Sequence, residues 1–437
     1  MKEIKVGLIG FGTVGAGVVR ILEENMELIE KRMGAKIVLK RIADIDLETD
    51  RGVKLRPGIL TRRAEEVIED PEITILMELM GGTDLAKEFI LKAIQHKKHI
   101  ITANKALLAL HGDEIFAEAH RFGVDVSFEA SVGGGIPLIR SIKEGLVANR
   151  IQSIFGILNG TSNYILSKMT DEGRNFKEVL REAQKEGYAE ADPSYDIEGI
   201  DAAHKLTILI RLAFGTSIQF QEIFIGGISN ITPLDIQFSR EFGYRIKLLA
   251  IAKMDQGKIE ARVHPTMIPE GHLLSTVDGV FNAIYIKGDA VGATLFYGQG
   301  AGQMPTGSAV VGDLVELGRN LLVGATGRRV PPLSFQESAI EKIPLKRVDE
   351  VVMPFYMRFS ALDRPGVLSK ISGILGENDI SIAAVTQKER QISGAVPIVM
   401  MTHEAYEKNV QRALKEIDRL DVVKGKTMFI RVEDELK

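Results

Sequence analysis

The chain has 437 residues, 45% hydrophobic and 26% charged, a balance that excludes wholesale disorder and, at roughly 150 residues per domain, suggests about three domains. Fifty-five Lys plus Arg against 59 Asp plus Glu leave a formal net charge of −4, with no basic excess to make nucleic acid the main partner. Cysteine is absent, which excludes disulfides, thiolate metal sites and thiol nucleophiles and fits a reducing, cytoplasmic compartment; no apolar run reaches the roughly 18 residues of a membrane span.

The first 130 residues alternate short apolar runs with helix-period segments. Strands are expected at Ile4 to Gly10, Ile37 to Asp44, Ile73 to Met80, His99 to Asn104 and Val124 to Ala130. Helices are expected at Thr13 to about Arg32, Asp84 to Lys97 and Asp113 to Phe122. Lys2 and Lys5 ahead of an apolar stretch imitate a signal peptide, but Gly7, Gly10, Gly12, Gly15 and Gly17 break it, so it reads as a strand feeding a turn. Strands alternating with helices indicate crossover units and a parallel sheet covered on both faces.

From about Ser131 to Leu345 the pattern changes. Helices are expected near Thr161 to Met169, Phe176 to Glu186 and Gly199 to Phe214, then strand alternation from Tyr244 to Tyr297 and a helix from Ser308 to just before Gly324. Helices grouped apart from strands suggest an α+β domain. Ile343 to Pro354 reads as a linker. Beyond it, strand candidates Phe355 to Leu362, Ile380 to Glu389, Ala395 to Thr402 and Thr427 to Val432 interleave with helix candidates Gly366 to Gly376 and Ala405 to Leu420. That βαββαβ order is the ferredoxin-like plan.

Gly10-Phe11-Gly12-Thr13-Val14-Gly15 matches GxGxxG between a strand and a helix. The first glycine permits the turn, the second lets backbone approach a pyrophosphate and the third allows close helix packing. The helix N-terminus presents free amides to the phosphates. Asp44 at the end of the second strand suits the ribose hydroxyls of NAD. Arg41, Arg51, Lys54 and Arg56 suit the 2′-phosphate of NADP, and the sequence leaves the choice open.

Ligands of open parallel sheets bind beyond the carboxyl ends of the strands. That places Lys105, after Thr102-Ala103-Asn104, and Glu129, before Ala130-Ser131-Val132-Gly133-Gly134-Gly135-Ile136-Pro137, near the cofactor's reactive end. The carbonyls of the glycine run suit a hard cation, and an interdomain hinge fits it equally well. Further on, Glu190, Asp192, Asp196, Glu198 and Asp201 crowd together with Lys205. Asp201 and Lys205 share one helix face. Such a pair is usually a surface ion pair; buried, it supplies a proton donor and the carboxylate that orients it.

The whole pattern resembles homoserine dehydrogenase, on TANK at Thr102 to Lys105, EASVGGGIP at Glu129 to Pro137, NGTSNYIL at Asn159 to Leu166, GYAEADP at Gly187 to Pro193 with the following DIEGIDAAHKL, and GQGAGQMPTGSAVVGDL at Gly298 to Leu314. The C-terminal block, opening Asp363-Arg364-Pro365-Gly366-Val367-Leu368, resembles an ACT domain. The resemblance implies an α/β protein of three parts. These are a Rossmann-type doubly wound domain over 1–131, an α+β catalytic and dimerisation domain over 132–345, and a ferredoxin-like ACT regulatory domain over 353–437.

It also implies NAD(P)H-dependent interconversion of L-aspartate 4-semialdehyde and L-homoserine, on the route to threonine and methionine, in a homodimer or homotetramer. By motif position Lys205 is the general acid, Lys105 assists beside the nicotinamide, and Glu190 and Asp201 hold the substrate's amino group and orient Lys205. The cofactor would touch Gly10, Phe11, Gly12, Thr13, Val14, Gly15, Lys105, Gly187 and Gly302. A monovalent cation, sodium or potassium, would lie at Glu129, Val132, Gly134 and Ile136. The ACT resemblance implies an amino-acid effector, threonine being the natural choice for this pathway. Its site would use the helix-opening turn at Asp363, Gly366, Val367 and Leu368, together with Asn378. The competing reading is a catalytically silent sensor that keeps the nucleotide site.

Overall fold

The structure is a computed structural model and describes residues 2–327, 330–387 and 394–436. It divides into two units: one of residues 1–160, 201–223 and 281–343, the other of residues 161–200, 224–280 and 344–437.

In the first unit, β1 (Glu3–Ile9), β2 (Lys36–Ala43), β3 (Leu60–Thr61), β4 (Ile75–Glu78), β5 (His99–Thr102) and β6 (Val126–Ser127) form one parallel sheet in the order β3-β2-β1-β4-β5-β6. The order reverses between β1 and β4, which creates a crevice at their carboxyl ends. All four residues of β4 and of β5 are buried, as strands covered on both faces should be. The helix Thr13–Met33 and the much later helix Gln303–Val323 share the core with β1, through Val18, Leu22, Val310 and Leu314. Their approach requires glycine: a Cβ on Gly17 would lie 2.2 Å from the Gln303 carbonyl oxygen, and one on Gly307 would lie 2.9 Å from the Gly17 carbonyl carbon. Ile151–Ile157, Phe281–Gly288 and Gly292–Gln299 complete the unit as antiparallel neighbours.

The helix after β5 runs Lys105–Phe122 and begins eight residues before the expected Asp113. Asn104 caps it, its side-chain oxygen accepting from the Leu107 amide at 3.1 Å. Gly112 lies within the helix, where a Cβ would meet an Arg211 guanidinium nitrogen at 2.8 Å.

In the second unit a sheet path runs Tyr244–Asp255, Lys258–Pro269, Met428–Val432, Phe355–Leu362, Ala395–Thr402, Ile382–Gln387. Its last four strands, with helices Val367–Glu377 and Glu407–Ile417, make the expected βαββαβ block around Phe355, Phe359, Ile371 and Val410. Two details differ from the sequence reading. The supposed linker contains Leu345–Lys346, paired with Lys258–Pro269, and Val352–Met353, paired with Ala405–Tyr406. Ala405 therefore opens a strand, and the helix starts at Glu407. Two-residue strands carry too little periodicity to be read from sequence. The expected end of the strand at residues 388 and 389 lies outside the described residues. No described helix is long and apolar enough to cross a membrane.

Candidate active site

The glycine turn adopts the form that its motif predicts. Gly10 is left-handed at φ 95°. A Cβ on Gly12 would meet nothing within 4 Å, so the backbone there is open to a ligand. A Cβ on Gly15 would stand 2.3 Å from the Gly10 carbonyl oxygen, which only glycine allows. No side chain caps the N-terminus of Thr13–Met33, whose first amides are left for an anion. No side chain caps the Gln303–Val323 helix either; it starts at Gly302, at φ 121°. The open turn and bare amides fit a dinucleotide's pyrophosphate.

Asp44 is engaged by the turn itself: one carboxylate oxygen accepts from the Phe11 amide at 2.5 Å and the other from Asp46 at 2.8 Å. Arg51 lies 3.7 Å from Asp44, and its guanidinium sits over the Phe11 ring at 5.0 Å. Arg41 and Arg56 instead donate to the carbonyls of Gly58 and Leu39, and Lys54 is exposed. Of the four cations, Arg51 is the one held at the turn.

At the carboxyl ends of β4 and β5, Glu78 is fully buried. It accepts from the Met80 amide at 2.9 Å and from the Thr102 hydroxyl at 2.6 Å. Burial pushes its carboxyl up to about 7, against the opposing effect of those hydrogen bonds. The Thr102 hydroxyl in turn accepts from the Asn104 amide at 3.0 Å. This chain fixes the turn that delivers Lys105. Sequence reasoning passed over Glu78; a carboxylate ending an otherwise apolar strand was the available signal.

Lys105 and the helix Ile200–Phe214 meet in the same unit. Asp201 is 3% exposed and Lys205 7%. Nζ of Lys205 donates to Asp201 Oδ2 and to the Leu158 carbonyl, each at 2.6 Å. Nζ of Lys105 pairs with Asp201 Oδ1 at 3.0 Å, and Asn159 donates to Oδ2 at 3.0 Å. Burial works to raise the Asp201 pKa, but the two ammonium groups and these hydrogen bonds overcome it and hold the carboxyl well below the usual range. One carboxylate thus ties together two lysines that are 100 positions apart in the chain. Neighbouring His204, stacked on Phe220 at 4.1 Å, is pushed down to about 4 by burial, with Lys105 adding to the effect.

Glu129 is buried, and its two carboxylate oxygens accept from the amides of Ile139 (2.8 Å) and Arg140 (2.9 Å). Its own amide donates to Asp313 at 2.9 Å. Burial, reinforced by the Glu129 charge, pushes Asp313 up to about 8. Val132 and Ile136 are buried. Gly133 and Gly134 are left-handed, at φ 76° and 54°, so the segment doubles back. A Cβ on Gly134 would stand 2.6 Å from Gly300, so this turn abuts the 298–302 glycine loop. The main-chain oxygens of such a turn are hard donors that fit an alkali cation, whereas the Glu129 side chain is committed to amides.

Gly187 and Glu190 belong to the other unit, exposed between helices Phe176–Lys185 and Ser194–Ile197. In the C-terminal block, Asp363 and Gly366 are exposed, Gly366 is left-handed at φ 87° ahead of the helix, Val367 is buried and Leu368 is 42% exposed. The buried Asn378 side chain donates to the Ile374 carbonyl at 2.9 Å and accepts from Arg412, which joins the block's two helices.

Comparison with known proteins agrees with this geometry. Residues 10–129 match the family model "Homoserine dehydrogenase, NAD binding domain", residues 137–315 the model "Homoserine dehydrogenase", and residues 355–422 the model "ACT domain". A homoserine dehydrogenase of Pseudomonas aeruginosa is 46% identical over 434 residues, covering 99% of each chain. The chain belongs to the homoserine dehydrogenase family. The crystal structure of a homoserine dehydrogenase from Thiobacillus denitrificans superposes with a TM-score of 0.94 at 50% identity, over 100% of this chain and 99% of that one. A hyperthermophilic archaeal homoserine dehydrogenase in complex with NADPH matches with a TM-score of 0.61 at 27% identity, over 72% of this chain and 97% of that one. The protein is therefore an NAD(P)-dependent oxidoreductase with homoserine dehydrogenase activity, built on an N-terminal parallel-sheet nucleotide domain and carrying a C-terminal ACT domain.

Proposed function

We propose that Lys205 is the proton donor and acceptor in the interconversion of L-aspartate 4-semialdehyde and L-homoserine. The observation that carries this reading is the buried Lys205 amine, gripped by Asp201 and the Leu158 carbonyl at 2.6 Å each, in the unit that also holds the glycine turn. The nicotinamide cofactor, when bound, supplies or accepts the hydride at the substrate carbon. In reduction, Nζ of Lys205 gives a proton to the aldehyde oxygen as that oxygen gains electron density, and the alcohol forms. In oxidation, the amine takes the hydroxyl proton as the hydride leaves. Asp201 keeps the lysine in place and keeps a positive charge favourable there. Lys105, half-buried and paired to the same carboxylate, adds positive charge where the oxygen becomes negative. Motif position within the homoserine dehydrogenase family assigns Glu190 to the substrate's ammonium group.

An alkali cation held through main-chain oxygens of Glu129, Val132, Gly134 and Ile136 would supply rigidity to the turn beside the 298–302 loop. NADP is the assigned cofactor, because Asp44 is spent on the Phe11 and Asp46 amides, and Arg51, held over the Phe11 ring by the Thr49 carbonyl and Asp46, is the cation nearest the turn to meet a 2′-phosphate. The ACT domain is assigned L-threonine, bound at the turn of Asp363, Gly366, Val367 and Leu368 beside Asn378. Support comes from the open backbone at Gly366, where a Cβ would meet nothing within 4 Å, ahead of a helix N-terminus without a side-chain cap. Homoserine oxidation by the full chain, followed by absorbance of the reduced nicotinamide with NAD and NADP separately and with or without millimolar L-threonine, tests all three assignments. Equal use of both nucleotides rejects the cofactor choice, loss of no activity in sodium- and potassium-free buffer rejects the cation, and unchanged kinetics with threonine rejects the effector.

A further inference from the structure

The Leu158 carbonyl that holds Lys205 has a second donor. Asn282, on the strand Phe281–Gly288, is 1% exposed, and its Nδ2 donates to that same oxygen at 3.1 Å. A carbonyl has two lone pairs. Here one takes the lysine and the other takes the amide. Because the oxygen can only accept, the amide's orientation follows from the network itself. That leaves Asn282 Oδ1 buried and without a hydrogen-bond partner among the described residues. A buried acceptor left unpaired is costly, and the described residues offer Oδ1 nothing. Asn282 uses only its donor, and it uses it on the group that locates the amine. Its surroundings are tight: a Cβ on Gly300 would lie 2.1 Å from the Asn282 amide, so the glycine loop is packed directly on this side chain.

We propose that Asn282 is a positioning residue for the proton transfer: its amide fixes the Leu158 carbonyl, and through it the place of the Lys205 amine. The inference rests on the reading that Lys205 is the proton donor. Without the Asn282 donor, the carbonyl turns toward whichever hydrogen it retains, and the lysine moves with it. Misplacement of a reacting group by about 1 Å can cost about 10²-fold in rate.

The test uses the full-length enzyme with Asn282→Asp, which keeps the shape but replaces the donor by an oxygen, and Asn282→Ser, which relieves crowding, beside Lys205→Ala. Melting temperature identifies the folded variants. Saturating kcat, KM for homoserine, NADPH affinity by fluorescence titration and the pH profile of kcat are then compared. The expected result is a loss in kcat of about 10–10²-fold, with KM and NADPH affinity kept within about threefold. Asp201 on the lysine's own helix and Lys105 on the helix Lys105–Phe122 are unchanged, so the Asn282→Asp carboxylate should also displace the pH profile to higher pH. A kcat equal to wild type in either folded variant overturns the proposal. So does a defect confined to KM or NADPH affinity, which would make Asn282 a support of the glycine loop alone. If Lys205→Ala retains turnover, the underlying reading fails; if Lys205→Ala is inactive and Asn282→Asp is not impaired, only this inference fails.

Discussion

Replacing Lys205 by alanine removes two hydrogen bonds of 2.6 Å, one to a carbonyl and one to a carboxylate, together with the amine between them. Asp201 is not left as an isolated buried charge, because Lys105 and Asn159 remain at 3.0 Å each. The stability loss should therefore fall below the roughly 3–5 kcal/mol of a broken buried ion pair. The catalytic loss should not be softened in this way. Water does not replace a placed general acid in a buried site, and losing one typically costs about 10²–10⁴-fold in kcat, equivalent to about 3–5 kcal/mol on the barrier. The glycine turn and the Thr13–Met33 helix are untouched by the substitution, so cofactor affinity should change by less than about threefold. Stopped-flow reduction of the semialdehyde by saturating NADPH separates the chemical step from product release, and fluorescence titration gives the nucleotide affinity. A folded Lys205→Ala enzyme that turns over at the wild-type rate would refute the assignment of the proton donor.

Two further outcomes follow from the geometry around the turn and β4. Arg51→Ala should raise KM for NADP by about 10–10²-fold, the worth of a charge-assisted hydrogen bond, and leave KM for NAD nearly unchanged; parallel rise in both would show that Arg51 serves the turn and not the 2′-phosphate. Glu78 has its pKa raised by folding, so its contribution to stability is fully present below pH 4.5 and is lost as the pH rises through about 7. The total is at most about 3 kcal/mol. Glu78→Gln cannot titrate, so its melting temperature relative to wild type should rise between pH 5 and pH 9, and a pH-independent difference would reject the raised pKa.

Several features were readable one segment at a time. Gly10 to Gly15 announce their turn because each glycine answers a local steric demand. Asp201 and Lys205 announce their pairing because helical geometry brings residues four apart onto one face. The C-terminal block is legible because its alternation of apolar periods is strong. The start of the helix at Lys105 was missed because Asn104 gives only a single-residue cap signal. The strands Leu60–Thr61, Leu345–Lys346 and Val352–Met353 were missed because two residues have no period, and pairing partners far along the chain decide whether they form strands at all.

What the sequence determined by itself, then, is local: the order of the longer strands and helices, the phosphate-ready turn, and the chemical types available for a hydride and proton exchange without a thiol. What tertiary structure decided is the environment of each charge. Lys105 and Lys205 came to share the Asp201 carboxylate only when the start of the helix Lys105–Phe122 and the helix Ile200–Phe214 converged. Asn282 gained its connection to the lysine only through the Leu158 carbonyl, and Glu78 its raised pKa only through complete burial. Desolvation and Coulomb energy depend on distance in space, which the chain establishes only when it folds.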